Sequence, residues 1–359
     1  MDIIRIFTAS IRKSCIFKTG FDYSLFPRLP KKGARTKMKI YEYTCGMKLP
    51  RGALTALGLF DGVHEGHRRL LRGAREIAAA RGLTFTVFTF RTETLKKGDG
   101  ALYSTEEKLH LFASVGVEAV ILADFDAISG VSAEDFIKKL LIEDMGCESA
   151  VAGFDFRFGK GALGDAAFLA SVMRREGREC IIETEHKLDG EKISTTRIKE
   201  LLRDGDVERA RLFLGAPYFI TASVQHGRGE GRTLGFPTLN LDSPSLKNLK
   251  RGVYRCAADI DGRLFTAVTN VGTCPTFRER EVHAEAHIID FEGDIYGKRI
   301  RIFFLGYLRD ERRFESPESL VLQINVDKNQ AIKENGDISW QEIGLSLQQW
   351  EVSRSSTTS

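Results

Sequence analysis

The chain lacks the cysteine pattern that would hold it by disulfides or by a structural zinc. Its six cysteines, Cys15, Cys45, Cys147, Cys180, Cys256 and Cys274, are scattered. None forms a C-x-x-C pair, and no Cys/His group shows zinc spacing. Reduced, mostly buried thiols in a cytoplasmic protein are the reading that follows. No uninterrupted apolar run is long enough to cross a bilayer, so no membrane association is expected. An excess of one charge is also missing: 53 Lys and Arg against 49 Asp and Glu leave a net +4. A nucleic-acid binder usually concentrates basic charge on one face. Here acids and bases are mixed along most of the chain, so no nucleic-acid partner is expected, and anionic small ligands such as nucleotides fit equally well. Nothing in the residues specifies an oligomeric state.

What is present is ordinary globular material. Apolar residues make up 42% and charged residues 28% of 359 positions, enough for two domains with sizeable cores. The two ends differ from the rest. Residues 1–37 hold nine Lys or Arg against Asp2 and Asp22 and are interrupted by Pro27 and Pro30. An Arg-rich, acid-poor leader is the composition of a transit peptide; an extension without its own fold, ahead of a second start at Met38, is the other reading. Residues 334–359 end in Ser-Arg-Ser-Ser-Thr-Thr-Ser and read as a frayed tail.

Between these ends the rhythm changes once. From Leu54 to about residue 214, apolar strands alternate with amphipathic helices. Leu54–Phe60 is an apolar run. Leu70, Leu71, Ala74, Ile77 and Ala78 then recur at helical spacing up to Gly82, and Thr84–Phe90 alternates like a strand. Ser104 with Glu107 forms a capping box for a helix stopping at Gly116. Ala119–Ala123 reads as a buried strand, and Ser132 caps a helix through Met145. Ser149–Ala152 leads a further strand, Asp165–Glu176 is helical, and Glu179–Thr184 is extended. Such alternation implies a parallel sheet covered on both faces, with ligands beyond the carboxyl ends of its strands.

A helix over Val207–Leu214 closes this half at Gly215 and Pro217. Short extended segments follow: Tyr218–Gln225, Val253–Ile260, Leu264–Asn270, His283–Phe291 and Lys298–Phe304. Asp261-Gly262 between two of them is a hairpin signal. Residues 215–333 therefore read as an antiparallel barrel or sandwich, closed by a helix around Ser316–Ile324.

Two stretches carry chemistry. In Gly58-Leu-Phe-Asp61-Gly-Val-His64-Glu-Gly66-His67 a strand turns into a helix. Glycines there admit a ligand close to the backbone, and the free N–H groups of the helix start favour phosphate. Two imidazoles three residues apart can hydrogen-bond oxygens that gain charge as pyrophosphate departs. Ile193-Ser194-Thr195-Thr196-Arg197, hydroxyls followed by a cation at a helix start, suits the other end of a polyphosphate, although such hydroxyls are commonly caps.

The second stretch, Gly227-Arg-Gly229-Glu-Gly-Arg-Thr-Leu-Gly235-Phe-Pro-Thr238-Leu-Asn240, packs four glycines and the oxygen-bearing Thr238 and Asn240 into fourteen residues. G-x-G-x-x-G does not occur in it and strands surround it, so it is no Rossmann loop. A glycine-rich loop beside a strand can still wrap a triphosphate with backbone N–H groups.

Together, H-x-G-H and the later S-T-T-R resemble the nucleotidyltransferase superfamily. Phe-Asp-Gly-Val-His and Gly153-Phe-Asp155-Phe-Arg-Phe-Gly159 resemble the adenylyltransferase module of bacterial bifunctional riboflavin kinase/FAD synthetases. The glycine-rich run resembles riboflavin kinase, as do Thr269-Asn-Val-Gly272-Thr-Cys-Pro275-Thr-Phe277, Glu285-Ala-His287, Tyr296-Gly297, and Leu308-Arg309 through Phe314. The implied fold is α/β: a nucleotidyltransferase-like parallel-sheet domain over 38–214, then an antiparallel β-barrel kinase domain.

The implied function is phosphorylation of riboflavin to FMN and adenylylation of FMN to FAD, with ATP and magnesium. His64 and His67 would serve the ATP phosphates. Gly58, Asp61, Gly66, Asp155, Ser194, Thr195 and Arg197 would complete that ATP site, although Asp155 is equally placed as a turn acid. In the second site, Gly227, Gly229, Gly235 and Thr238 would bind ATP, and Thr238 and Asn240 would hold magnesium. Glu285 would be the base, although spacing alone makes it a solvated strand residue. Arg309 and Phe314 would lie on the flavin side.

Three positions depart from the family. Phe90-Arg-Thr-Glu-Thr-Leu95 stands where Phe-Asp-Pro-His-Pro is usual, and Lys199 replaces an arginine, keeping the charge but losing the planar fork. Leu239 replaces an alanine, with packing as the expected consequence. The Phe90–Leu95 change motivates a rival reading, a riboflavin kinase whose first half adenylylates weakly or acts on another substrate. A flavin-sensing regulator that has lost catalysis is the reading from another class. It leaves His64, His67, Thr238, Asn240 and Glu285 unexplained.

Overall fold

The computed structural model describes residues 38–95, 100–225, 236–273 and 282–336, together with 339, 343 and 353–354. Gly227, Gly229, Gly235, Pro275 and Phe277 lie outside the described residues, as do residues 1–37 and most of the tail.

The first half is a parallel sheet. Its strands are β1 (Lys39–Glu42), β2 (Ala53–Leu57), β3 (Thr84–Phe90), β4 (Ala119–Ala123), β5 (Cys147–Gly153) and β6 (Glu179–Glu183). They lie in the order β1-β4-β3-β2-β5-β6, and every neighbouring pair is parallel. Strands β2 and β4 are buried along their whole length, as a sheet covered on both faces requires.

The helices start and stop where the sequence says. Helix α1 (Glu65–Arg81) is capped by His64 and ends at Gly82, whose φ of 65° is the left-handed conformation that glycine adopts at low cost. Helix α2 (Thr105–Val115) has the expected Ser104/Glu107 capping box. The helix expected from Ser132 begins as one α-turn, Ala133–Asp135, and continues with π-type bonding over Phe136–Asp144. Helix α3 (Ala166–Arg175), α4 (Thr195–Asp204) and α5 (Val207–Leu214) follow.

The second half is a closed six-stranded barrel, which decides between the barrel and the sandwich. Strands β7 (Phe219–Gln225), β8 (Leu239–Asp242), β9 (Gly252–Ile260), β10 (Arg263–Thr273), β11 (Val282–Ile288) and β12 (Arg299–Arg309) are ordered β7-β8-β11-β10-β9-β12. Asp261 and Gly262 turn the β9–β10 hairpin with both φ angles positive, 51° and 88°, as a type I′ turn demands.

Helix α6 (Pro317–Asn335), capped by Ser316, runs eleven residues past the expected Ile324. Its far half carries no apolar stripe. The residues it buries are Asp327 and Ala331, one helical turn apart. Ser353–Arg354 adds a two-residue strand, β13, parallel to β1. Of the cysteines, Cys147 and Cys256 are buried and Cys45 is exposed.

The halves share a core. Tyr103 stacks on Tyr218 with ring centroids 5.2 Å apart and packs on Phe219 at 5.1 Å, all three buried. Glu107, fully buried, accepts the Thr221 N–H at 2.6 Å and the Ser245 hydroxyl at 2.8 Å. Burial pushes its carboxyl up, against the pull of those donors. A side chain that caps a helix in one domain therefore anchors the other.

Candidate active sites

The first cleft, about 460 Å³, opens where β2 ends. Gly58, Asp61, His64, Gly66, His67, Asp155, Ser194 and Thr195 line it, so most of the residues read from two distant motifs meet. The turn from β2 into α1 is strained. Phe60 and Val63 have φ angles of 49° and 39°, unusual for residues other than glycine and costly for a β-branched one. The glycines leave room for rings. A Cβ on Gly58 would stand 2.9 Å from the Phe60 ring, and one on Gly66 would stand 3.3 Å from the His64 ring.

His64 is both cap and candidate donor. The His67 backbone N–H donates to His64 Nδ1 at 3.3 Å, so the neutral ring carries its proton on Nε2. The two imidazoles stack with centroids 3.7 Å apart. Burial lowers His64 to about 4. It holds His67 well below the ordinary histidine range, with the neighbouring His64 and Lys108 charges adding to the effect. Both rings are therefore neutral at pH 7, able to donate hydrogen bonds but carrying no charge.

Because the folded His64 resists protonation while the unfolded one does not, stability is fully present above about pH 6.5. It is lost as pH falls toward about 4. The slope from one such histidine is at most ~1.4 kcal/mol per pH unit. Unfolding midpoints measured across this window should fall more steeply for the native chain than for His64→Asn.

Two expected participants lie elsewhere. Arg197 does not line the cleft. It pairs with Glu191 and Glu200, each at 3.2 Å. Lys199 is buried, donates to the Gly100 carbonyl and faces Asp61 at 3.7 Å, so its exchange for arginine bears on domain packing rather than on the cleft lining. Asp61 lines the cleft but also accepts the Leu102 N–H at 2.9 Å. The altered segment divides. Phe90 and Leu95 line the cleft, while Glu93 accepts hydrogen bonds from the Thr105 backbone and hydroxyl, and Arg91 pairs with Glu42 and Asp124.

The sequence reading missed Phe125, Phe154, Glu183, His186 and Lys192, which also line this cleft. His186 Nε2 lies 3.0 Å from Glu183, and the Lys192 ammonium sits 5.2 Å from the Phe154 ring centroid. Four of the five sit at or just past the ends of β4, β5 and β6, the place where parallel sheets bind ligands. That rule was the available signal.

The second cleft, about 330 Å³, lies between the barrel and α6 and is lined by Thr238, Asn270, Glu285, Arg309, Phe314 and Asp327 among others. Strand register sets Asn240 directly opposite Glu285, and Glu285 directly opposite Asn270. Leu239, one step along, packs on the core, as expected for the alanine replacement. Thr238 and Asn240 thus share the face that carries Glu285. Asn270 Oδ1 is buried without a hydrogen-bond partner. This all-oxygen set suits magnesium. Arg309 makes a two-pronged ion pair with Asp327, at 2.7 Å from Nη2 and 3.0 Å from Nε, and lies 5.7 Å from the Phe314 ring centroid. Its fork is thus already engaged by Asp327.

Comparison with known proteins follows the same division. Residues 47–197 match the family described as FAD synthetase, and residues 214–334 the family described as riboflavin kinase. The bifunctional riboflavin kinase/FMN adenylyltransferase of Bacillus subtilis is 34% identical over 292 residues, 78% of this chain and 92% of that one. Its counterpart in Escherichia coli K12 is 33% identical over 286 residues, 77% of this chain and 91% of that one. A Streptococcus pneumoniae crystal structure, described as a macrolide-efflux protein, superposes with a TM-score of 0.73 at 30% identity, covering 83% of this chain and 99% of that one. Among the described residues here, no helix is long and apolar enough to cross a membrane.

Fold and clefts define a two-domain transferase, one domain of the nucleotidyltransferase kind and one a barrel kinase. The chain belongs to the bifunctional riboflavin kinase/FMN adenylyltransferase family.

Proposed function

We infer that this chain phosphorylates riboflavin to FMN in the barrel, residues 215–333, and adenylylates FMN to FAD in the sheet domain, residues 38–214. The observation that carries the reading is that one chain holds two separate clefts, each with its own constellation: the stacked His64/His67 pair in the first, and Thr238 with the cross-strand Glu285/Asn270 pair in the second.

In the barrel, Glu285 takes the proton of the ribityl 5′-hydroxyl as its oxygen attacks the γ-phosphate of ATP and ADP leaves. Thr238 and Asn240 would hold magnesium, which offsets phosphate charge when bound with ATP. Gly227, Gly229 and Gly235 are assigned to the phosphates on sequence alone.

In the sheet domain, an FMN phosphate oxygen attacks the α-phosphate of ATP and pyrophosphate departs. His64 and His67 donate to the oxygens that gain charge, and the start of α1 adds its partial positive charge. Ser194, Thr195 and Asp155 line the rest of the nucleotide site, and Phe90, Leu95 and Phe125 give the cleft an apolar wall for the flavin ring. ATP, riboflavin and FMN are the ligands, in a cytoplasmic setting and with no nucleic-acid partner.

The test is a time course of flavin products from riboflavin and Mg·ATP, resolved by chromatography. FMN first and FAD later is the expected order. FMN alone, with no FAD even from added FMN, would leave only the kinase, the reading that the Phe90–Leu95 departure favours.

A further inference from the structure

Behind the turn that carries His64 and His67 lies a chain of buried hydrogen bonds that ends in the other domain. Asp61 belongs to that turn, and its Oδ1 accepts the Leu102 N–H at 2.9 Å. The Leu102 side chain presses on the same turn, since a Cβ on Gly62 would stand 3.0 Å from Leu102 Cδ1. On its far side the Leu102 carbonyl faces the barrel domain: Tyr218 Oη lies 3.0 Å away and Asn248 Nδ2 3.3 Å away. Asn248 Nδ2 also reaches the Ala101 carbonyl at 3.0 Å and Tyr218 Oη at 3.1 Å. Tyr218 Oη lies 2.8 Å from the Ser245 carbonyl, and the Ser245 hydroxyl donates to Glu107. Leu102, Tyr218, Asn248 and Glu107 are each fully buried, and Asp61 is nearly so.

The turn needs such a support. Two of its residues, Phe60 and Val63, hold left-handed backbone that relaxes unless the surroundings fix it. Asp61 sits between them, and the backbone that anchors it is itself held from the barrel domain, by Asn248 at the Ala101 carbonyl of the same peptide unit and by Tyr218 and Asn248 at the Leu102 carbonyl of the next. Neither Tyr218 nor Asn248 lines either cleft.

We propose that Tyr218 and Asn248 are positioning residues for adenylyl transfer, acting through the Leu102 peptide and Asp61 to hold the His64/His67 turn in its reactive shape. The proposal rests on the first cleft being the adenylylating one. Removing the Asn248 amide or the Tyr218 hydroxyl leaves the Leu102 peptide short of a partner and lets the turn relax. A shift of about 1 Å in catalytic donors costs on the order of a hundredfold in rate. Donors that act on charge developed during reaction show their loss in kcat more than in KM.

The test uses full-length Asn248→Ala and Tyr218→Phe, with both activities and the urea midpoint measured on the same preparations. Amide hydrogen exchange of residues 58–67 is followed alongside. Expected are a kcat for FAD formation lower by about tenfold or more, an unchanged KM for FMN, unchanged riboflavin phosphorylation, and faster exchange in 58–67. A parallel fall in both activities, tracking the urea midpoint, would show a merely structural role and overturn the proposal. So would unchanged FAD formation and exchange in either folded variant. Tyr218→Phe, which keeps the ring stacked on Tyr103, carries the test if Asn248→Ala does not fold. A native chain that makes no FAD would sink the adenylylation reading, an outcome distinct from unaltered exchange, which sinks the support role.

Discussion

Glu285→Gln should cut riboflavin phosphorylation by about 10²–10⁴-fold while FMN adenylylation in the same preparation runs at its native rate. The substitution keeps the size and hydrogen-bonding reach of the side chain on an exposed strand face, so the barrel should stay intact. What it removes is the capacity to take a proton. Asn240 and Asn270, the cross-strand neighbours, are amides and cannot substitute as bases. Steady-state assays of each half-reaction decide the matter. Full kinase turnover in Glu285→Gln would mean that the ribityl proton leaves by another route and that the carboxylate serves only to order the row of side chains.

His64→Asn should lower FAD formation by roughly 10²–10³-fold, the usual loss for one preorganised donor to developing charge, and leave the kinase untouched. Asparagine is the informative choice. His64 caps α1 through Nδ1, and asparagine ranks among the best capping residues, so the helix start survives while the Nε2–H donor is lost. His64→Ala removes both functions and should cost a further ~0.5–2 kcal/mol of stability. The comparison separates chemistry from capping: equal thermal midpoints for His64→Asn and native chain, with unequal FAD formation, assign the ring to the reaction. Equal FAD formation would reduce His64 to a cap.

The sequence disclosed most where local chemistry is strict. Ser104 with Glu107, Gly82 and Asp261-Gly262 were legible because caps and tight turns accept few residues. Strand β8 went unseen because its alternation, Leu-Asn-Leu-Asp, lasts only four residues and follows a glycine-rich run. Strand β1, Lys39-Ile-Tyr-Glu42, is equally short and half exposed. The far half of α6 was invisible for another reason: it docks through Asp327 and Ala331, and an ion pair with Arg309 leaves no apolar period to read.

The clefts divide the same way. The floor of the first one is a contiguous motif and was readable. Its walls are assembled from strand ends far apart in sequence, so Phe125, Glu183 and His186 carried no local signature. A cation after hydroxyls reads as a phosphate ligand, whereas Arg197 pairs with Glu191 and Glu200 outside the cleft lining, a pairing with no signature in the motif itself.

The core that runs from Tyr103 through Tyr218 into the barrel has a consequence for dosage. Two catalysts joined by a floppy tether could be clipped apart and live separately. Here each half completes the other's interior, so a cut or a destabilising lesion on either side exposes aromatic surface on both. The two activities are made together and lost together on unfolding, and a cell carrying this chain cannot adjust one without the other by changing its abundance.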